Sequence, residues 1–233
     1  MSEVAVARVE KGGWDPALIE EMERLVASFL GPDPTVLADE LLRGDRLYVA
    51  RDAHGLAAFM LVAKVRLPVG AECRHARYLG LTVARQDEGG SDAARAVRAR
   101  LISDARAEEA RLRRRLLLFS TAATPGALCT ARSFWGEVQP AHDTTFPEEL
   151  VPVAEAAAHW LGARPARQVP FVLQGLDPVW RRAPTLPGRI ATDRLRRELD
   201  LLQQFGVDES NGDRLLLFCS LPKETVLPEA EAA

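Results

Sequence analysis

The chain has 233 residues, 47% of them hydrophobic and 27% charged, with 30 basic and 33 acidic side chains giving a net charge of −3. Such a chain is long enough for one large globular domain or two small ones, and its near balance of charge removes any electrostatic reason to expect nucleic acid or an anionic membrane as partner. Three scattered cysteines without a CxxC pair exclude a disulfide framework, and the lack of a bilayer-length apolar run or a signal-peptide pattern makes the cytoplasm the expected address.

Taken in chain order, residues 4–10 alternate as a first strand. Residues 14–31 read as a helix, with Asp15 as N-cap, Pro16 at the first helical position and Gly31 at the end. Leu18, Met22, Leu25, Val26 and Phe29 form its inward face. A second short helix follows in 32–45, capped by Asp33. Residues 46–68 read as a hairpin turning at Asp52–Gly55, and 73–84 as another strand. Helical spacing over 89–112 places Ala94, Val97, Leu101, Ile102 and Ala105 inward. Residues 115–123 are a near-continuous apolar strand of the kind buried on both faces. Thr124 and Pro125 open a helix that Gly136 closes. Beyond a polar stretch (137–146) come a helix (147–163), a strand (169–176), a Pro-rich connection (178–188), a helix (192–206), a last strand (213–222) and an acidic, frayed tail (223–233).

Two segments carry a family resemblance. One is LGLTVARQDEGGSDAARAV (79–97), an apolar strand, a Gly-Gly turn and an alanine-rich helix. The other is LLLFSTAATPGALCTARSFWGEVQP (116–140), a strand, a turn and a short helix. The stretch from Val4 to Val138 resembles the GNAT superfamily of acyl-CoA-dependent N-acyltransferases. The resemblance implies a mixed, splayed α/β sheet of about seven strands with helices on both faces, in one domain over 1–222 carrying an insertion at about 139–188. Heavy use of Ala, Leu and Arg goes with a GC-rich bacterial coding sequence. The implied function is transfer of an acetyl or other acyl group from acetyl-CoA to an amine of a small molecule or peptide. A homodimer is compatible with this reading. The alternative is a GNAT-like protein without catalysis that serves as a binding or assembly partner.

The physics of the first segment supports the implied cofactor loop. Orphan N–H groups at a helix start bind a pyrophosphate without side-chain charge, and glycine lets backbone approach a ligand. Gln86, Gly89, Gly90, Ser91 and Ala93 are the candidate pyrophosphate residues. Leu81 or Val83 is the candidate backbone donor to the acyl carbonyl, and Thr124 lies beside the expected pantetheine arm. Asp87, Glu88 and Asp92 crowd this anion site. Either they are first-turn helix residues facing solvent, each stabilising the helix by about 0.3–1 kcal/mol, or they have taken the phosphate's place.

The family's usual Glu base and Tyr acid are not visible. Strict alternation puts His75, Arg77, Leu79, Leu81 and Val83 on one face, which makes His75 the candidate base, and Ala131 stands where the Tyr is expected. His142–Asp143 is a weaker candidate pair, and His159 beside Trp160 reads as a packing residue. Residues 108–115 read as the solvated end of a helix. No spacing fits a zinc or calcium site or a dinucleotide fingerprint.

Overall fold

The computed structural model describes residues 4–30, 35–142, 147–176 and 192–222. Among the described residues nine strands form one sheet: β1 (Ala5–Glu10), β2 (Arg46–Asp52), β3 (Gly55–Val69), β4 (Glu72–Ala84), β5 (Leu117–Ala122), β6 (Val138–Gln139), β7 (Arg164–Pro165), β8 (Val172–Gln174) and β9 (Arg214–Cys219). Their order is β1-β2-β3-β4-β5-β9-β8-β7, and β6 joins β9 as well. The β4–β5 pair is parallel and all others are antiparallel. The expected mixed sheet is present, with two strands more than anticipated. The additions, β6 and β7, are two residues long, too short for any periodicity to mark them.

The described residues form six helices: α1 (Pro16–Leu30), α2 (Thr35–Arg43), α3 (Glu88–Leu112), α4 (Pro125–Phe134), α5 (Val151–Leu161) and α6 (Thr192–Gln204). Asp15 caps α1 as expected, its carboxylate accepting from the Leu18 N–H at 2.7 Å. The expected cap Asp33 and the ends Gly31 and Phe29 lie outside the described side chains, as do most of the Pro-rich connection and the tail. Leu18, Met22, Leu25 and Val26 of α1, with Leu37 of α2, pack on Phe59, Leu61, Leu81 and Val83 on one face. On the other face α3 buries Ala93, Val97, Leu101 and Ala105. Val97, Leu101 and Ala105 are inward as expected, whereas Ala94 and Ile102 are only half-buried and Ala93 takes the inward place of Ala94.

The long strand β3 records how the layers are arranged. Its first half is buried on both faces, whereas further along Ala63, Val65 and Leu67 are buried and Lys64 and Arg66 exposed. The alternation appears where one face opens to solvent, and α5 packs on the buried side. Residues of the 139–188 segment thus supply both α5 and the strands β7 and β8, and β8 pairs with the outer edge of β9.

At the sheet's centre Phe119 of β5 meets Tyr78 at 5.3 Å between ring centroids, Trp160 of α5 at 5.9 Å and Phe218 of β9 at 6.4 Å. Phe119 is fully buried. Phe119→Ala should therefore destabilise the protein by about 3–5 kcal/mol, the usual cost of emptying an aromatic core site, as measured by urea denaturation; a loss below about 1 kcal/mol would show that this cluster does not hold the sheet together.

Candidate functional site

β4 and β5 pair only from Ala76↔Leu117 to Tyr78↔Phe119. β4 runs on to Ala84, and β5 runs on to Ala122 paired with β9 on its other edge. The facing edges beyond Tyr78 and Phe119 are therefore unpaired with each other, as the splay implied by the resemblance requires. Within this unpaired stretch β4 carries a bulge. Met60 faces Thr82 and Val62 faces Leu79, so Gly80 and Leu81 together oppose Leu61. A bulge adds one residue to a strand and leaves it out of the ladder. It also reverses the side-chain phase: Leu79 packs with the α3 face, and Leu81 and Val83 with the α1–α2 face.

Glu40 of α2 lies against this unpaired stretch of β4. Its Oε2 accepts from the Leu81 N–H at 3.1 Å and its Oε1 accepts from the Tyr78 hydroxyl at 3.1 Å. The Arg43 guanidinium is 3.5 Å from Oε1. Glu40 is 7% exposed. Burial pushes its carboxyl pKa up against the opposing pull of Arg43, the Leu81 amide, Tyr78 and Arg214. Burial and the neighbouring carboxylate likewise hold the Tyr78 phenol far above its ordinary range, so it keeps its proton and donates. Gly80 makes room for this contact: a Cβ there would stand 2.2 Å from Glu40 Oε2. The expected donor Leu81 is thus placed in the splay, with its amide directed at a carboxylate. Val83, paired with Phe59, stays in the β3 ladder.

The start of α3 is self-capped. Asp87 Oδ1 accepts from the Gly90 N–H at 2.6 Å, and the Asp87 carbonyl accepts from the Ser91 N–H at 3.2 Å. The first-turn amides of Glu88 and Gly89 have no partner among the described residues. Arg85 forms an ion pair with Asp52 of the β2–β3 turn and lies 3.1 Å from Asp87. Arg85 and the His54 amide hold the Asp52 carboxyl below its ordinary range. A Cβ on Gly90 would lie 2.1 Å from the Arg85 carbonyl oxygen, and one on Gly89 3.0 Å from the Arg85 guanidinium. Gly90 and the fully buried Ala93 therefore serve the close packing of α3 on the chain before it. Gln86 is exposed, and Thr124 caps α4 by accepting from the Ala127 N–H at 3.2 Å.

His75 is displaced from this site. It stands six residues before Leu81, roughly 20 Å along the strand at about 3.3 Å per residue, beyond the paired end of β4 and β5. Desolvation and the charges of Arg114, Arg66 and Arg77 lower its pKa. The bulge is the reason that the strict alternation of residues 75–83 fails. Glu40 and Tyr78 are the titratable groups that sequence reasoning missed. A signal was present: in α2, Leu37, Glu40 and Leu41 fall at i, i+3 and i+4, which places a carboxylate on the apolar stripe.

Elsewhere, Glu198 of α6 is 1% exposed and binds Arg132 at 3.2 Å and His142 at 3.3 Å. Arg132 also donates to the carbonyls of Val138 and Pro140. His142 therefore pairs with Glu198, and Asp143 lies outside the described residues. His159 is exposed, and it is Trp160 that packs. Glu108, expected at a solvated helix end, binds the buried Arg77, and Glu109 accepts from the Leu116 N–H at 2.8 Å. Surface recesses of about 360 and 280 Å³ lie beside Glu198 and Arg85; neither is lined by Glu40, Tyr78 or Leu81. Among the described residues no helix is long and apolar enough to cross a membrane, and no acidic, His and Cys cluster could hold a metal ion.

The sequence matches no protein-family model and no curated protein. Among solved structures, the chain is similar to a probable N-acyltransferase from Enterococcus faecalis V583 (12% identity, TM-score 0.41, covering 56% of this chain and 32% of that one). It is similar to a putative acetyltransferase of the GNAT family from Desulfovibrio desulfuricans (19% identity, TM-score 0.42, covering 58% and 88%). It is also similar to N-acetylglutamate synthase from Neisseria gonorrhoeae complexed with coenzyme A and N-acetylglutamate (13% identity, TM-score 0.39, covering 94% and 36%). The chain spans about a third of the length of the first and third of these proteins. At such values the likeness concerns the course of the chain and carries no chemistry over.

Two outcomes follow from this geometry. Gly90→Ala should lower the melting temperature more than Gly89→Ala, because a methyl at 90 meets backbone and one at 89 meets the end of a movable side chain; equal effects would contradict the packing role of Gly90. Glu40 has a raised folded-state pKa, so its contribution is most favourable below 4.5 and is lost as pH rises through the folded value. Relative to wild type, Glu40→Gln should gain stability at alkaline pH, and the gain should fade as pH falls toward 4.5, as followed by thermal denaturation across pH.

Proposed function

We propose that the chain is an N-acyltransferase that moves an acyl group from coenzyme A to an amine of a small molecule or peptide, and that the β4–β5 splay is its acyl site. The observation that carries this reading is the Leu81 N–H, left out of the β3 ladder at the bulge, in the stretch where β4 has parted from β5, and bound to a carboxyl oxygen of Glu40. A donor that binds a carboxylate oxygen is chemically suited to the oxyanion that develops when an amine attacks a thioester carbonyl. The open amides of Glu88 and Gly89 at the start of α3 would hold a pyrophosphate, whose presence there is consistent with the helix dipole. Coenzyme A would supply the activated acyl thioester. Tyr78, with its proton held firmly, is placed beside the same carboxylate as a hydrogen-bond donor. His75 has no part in this scheme.

A second reading, a non-catalytic binding or assembly partner, is favoured by a separate observation. At the start of α3, Asp87 takes the Gly90 amide, and Arg85, the nearest cation, is tied to Asp52 and Asp87.

The readings separate by assay of free-thiol release from acetyl-CoA against a panel of primary amines and peptides, beside calorimetric titration with acetyl-CoA. Amine-dependent thiol release supports the transferase. Absence of release, together with absence of binding at millimolar acetyl-CoA, favours the partner protein. If the α3 start does hold pyrophosphate, the double variant Asp87→Asn, Glu88→Gln should bind acetyl-CoA more tightly than wild type, most clearly at low salt, because like charges within a Debye length repel. An unchanged affinity at low salt would remove α3 from the site.

A further inference from the structure

We propose that Glu40 is an internal plug of the acyl site: its carboxylate occupies the Leu81 amide, and an acyl thioester gains that amide only when Glu40 withdraws. This rests on the transferase reading and adds to it a closed resting state.

Three features of the contact distinguish a plug from ordinary core packing. Glu40 is a charged group on an otherwise apolar helix stripe, where a leucine would bury area without the cost of desolvating a carboxylate. Its two oxygens divide between the Leu81 amide, left out of the β3 ladder at the bulge, and the Tyr78 hydroxyl, three residues earlier on the same strand, so the carboxyl spans the stretch of β4 where its pairing with β5 has ended. The strand also leaves space for it: at position 80 the absence of a side chain is what admits Oε2. The same amide cannot serve Glu40 and a thioester carbonyl at once, because a single N–H cannot give a full hydrogen bond to both. Binding and plugging therefore compete. The apparent affinity for acyl-CoA is the intrinsic affinity reduced by the fraction of molecules with the amide free. Arg43, 3.5 Å from Oε1 on the same helix, offers the carboxylate a partner toward the rim.

The test is calorimetric titration of acetyl-CoA into wild type, Glu40→Ala and Tyr78→Phe, with melting temperature and backbone amide exchange recorded on each. Glu40→Ala should bind acetyl-CoA roughly tenfold more tightly, the factor expected when a site open about one-tenth of the time is opened fully, and the Leu81 amide should lose protection against exchange. Tyr78→Phe removes one of the three groups that hold the carboxyl, leaving the Leu81 amide and Arg43, and should give a smaller gain in the same direction; it serves alone if Glu40→Ala does not fold. Equal or weaker binding by folded variants, with wild type binding, overturns the plug and leaves the transferase reading standing. Absence of binding in wild type and in every folded variant overturns both.

Discussion

The contact between Glu40 and the Leu81 amide depends on a single extra residue in β4. Without the bulge at Gly80–Leu81, that amide would belong to the β3 ladder and Leu81 would lie on the α3 face. With it, one N–H is left to find a partner within the protein interior, where an unpaired donor costs about 1–3 kcal/mol. The carboxylate that meets this need comes from a helix more than thirty positions earlier in the chain. Gly80 permits the approach, in a stretch of β4 that no longer pairs with β5. Strand, glycine, helix and splay are thus parts of one arrangement.

Charge is placed in this molecule where backbone geometry demands it. Glu40 answers the bulge. Asp87 answers the orphan amides of α3, and Glu109 answers the Leu116 amide just beyond that helix's end. Arg132 satisfies the carbonyls of Val138 and Pro140 and is itself neutralised by Glu198. Arg77 is buried with a carbonyl and Glu108 as partners. A buried charge is tolerated only when paired and hydrogen-bonded, and each of these is. The acids of the α3 loop belong to the same pattern: Asp87 caps the helix, and Asp92 pairs with Arg95 on its surface. Capping leaves two amides at the helix start available, so it limits an anion site without abolishing it.

The residues beyond β5 enlarge the sheet as well as cover it. β9 carries β5 on one edge and both β6 and β8 on the other, while α5 reaches back to β3 and sets Trp160 against Tyr78 and Phe119. That packing fixes the phenol whose hydroxyl meets Glu40, so the segment at 139–188 bears on the splay through Tyr78 without entering it. Short edge strands such as β7, two residues long and containing Pro165, leave little free ladder for another chain to join.

Local rules in the sequence determined the element order, the caps at Asp15 and Thr124 and the hairpin turn at Asp52–Gly55. Each of these rests on neighbours within a few positions. The two short strands were beyond such rules, since two residues carry no period. The site was legible only in part. Leu81 and the Gly-Gly turn could be located, because a strand, a turn and a helix start are contiguous. The pairing of Glu40 with Tyr78 could not, and the bulge puts His75 and Leu81 out of the common face that strict alternation gave them. Which face a strand residue presents depends on register with its partner, and a bulge of one residue reverses that face without leaving a mark in hydrophobic alternation. Only the tertiary structure, by aligning β3 against β4 and laying α2 across them, decided that the Leu81 amide would meet a carboxyl group.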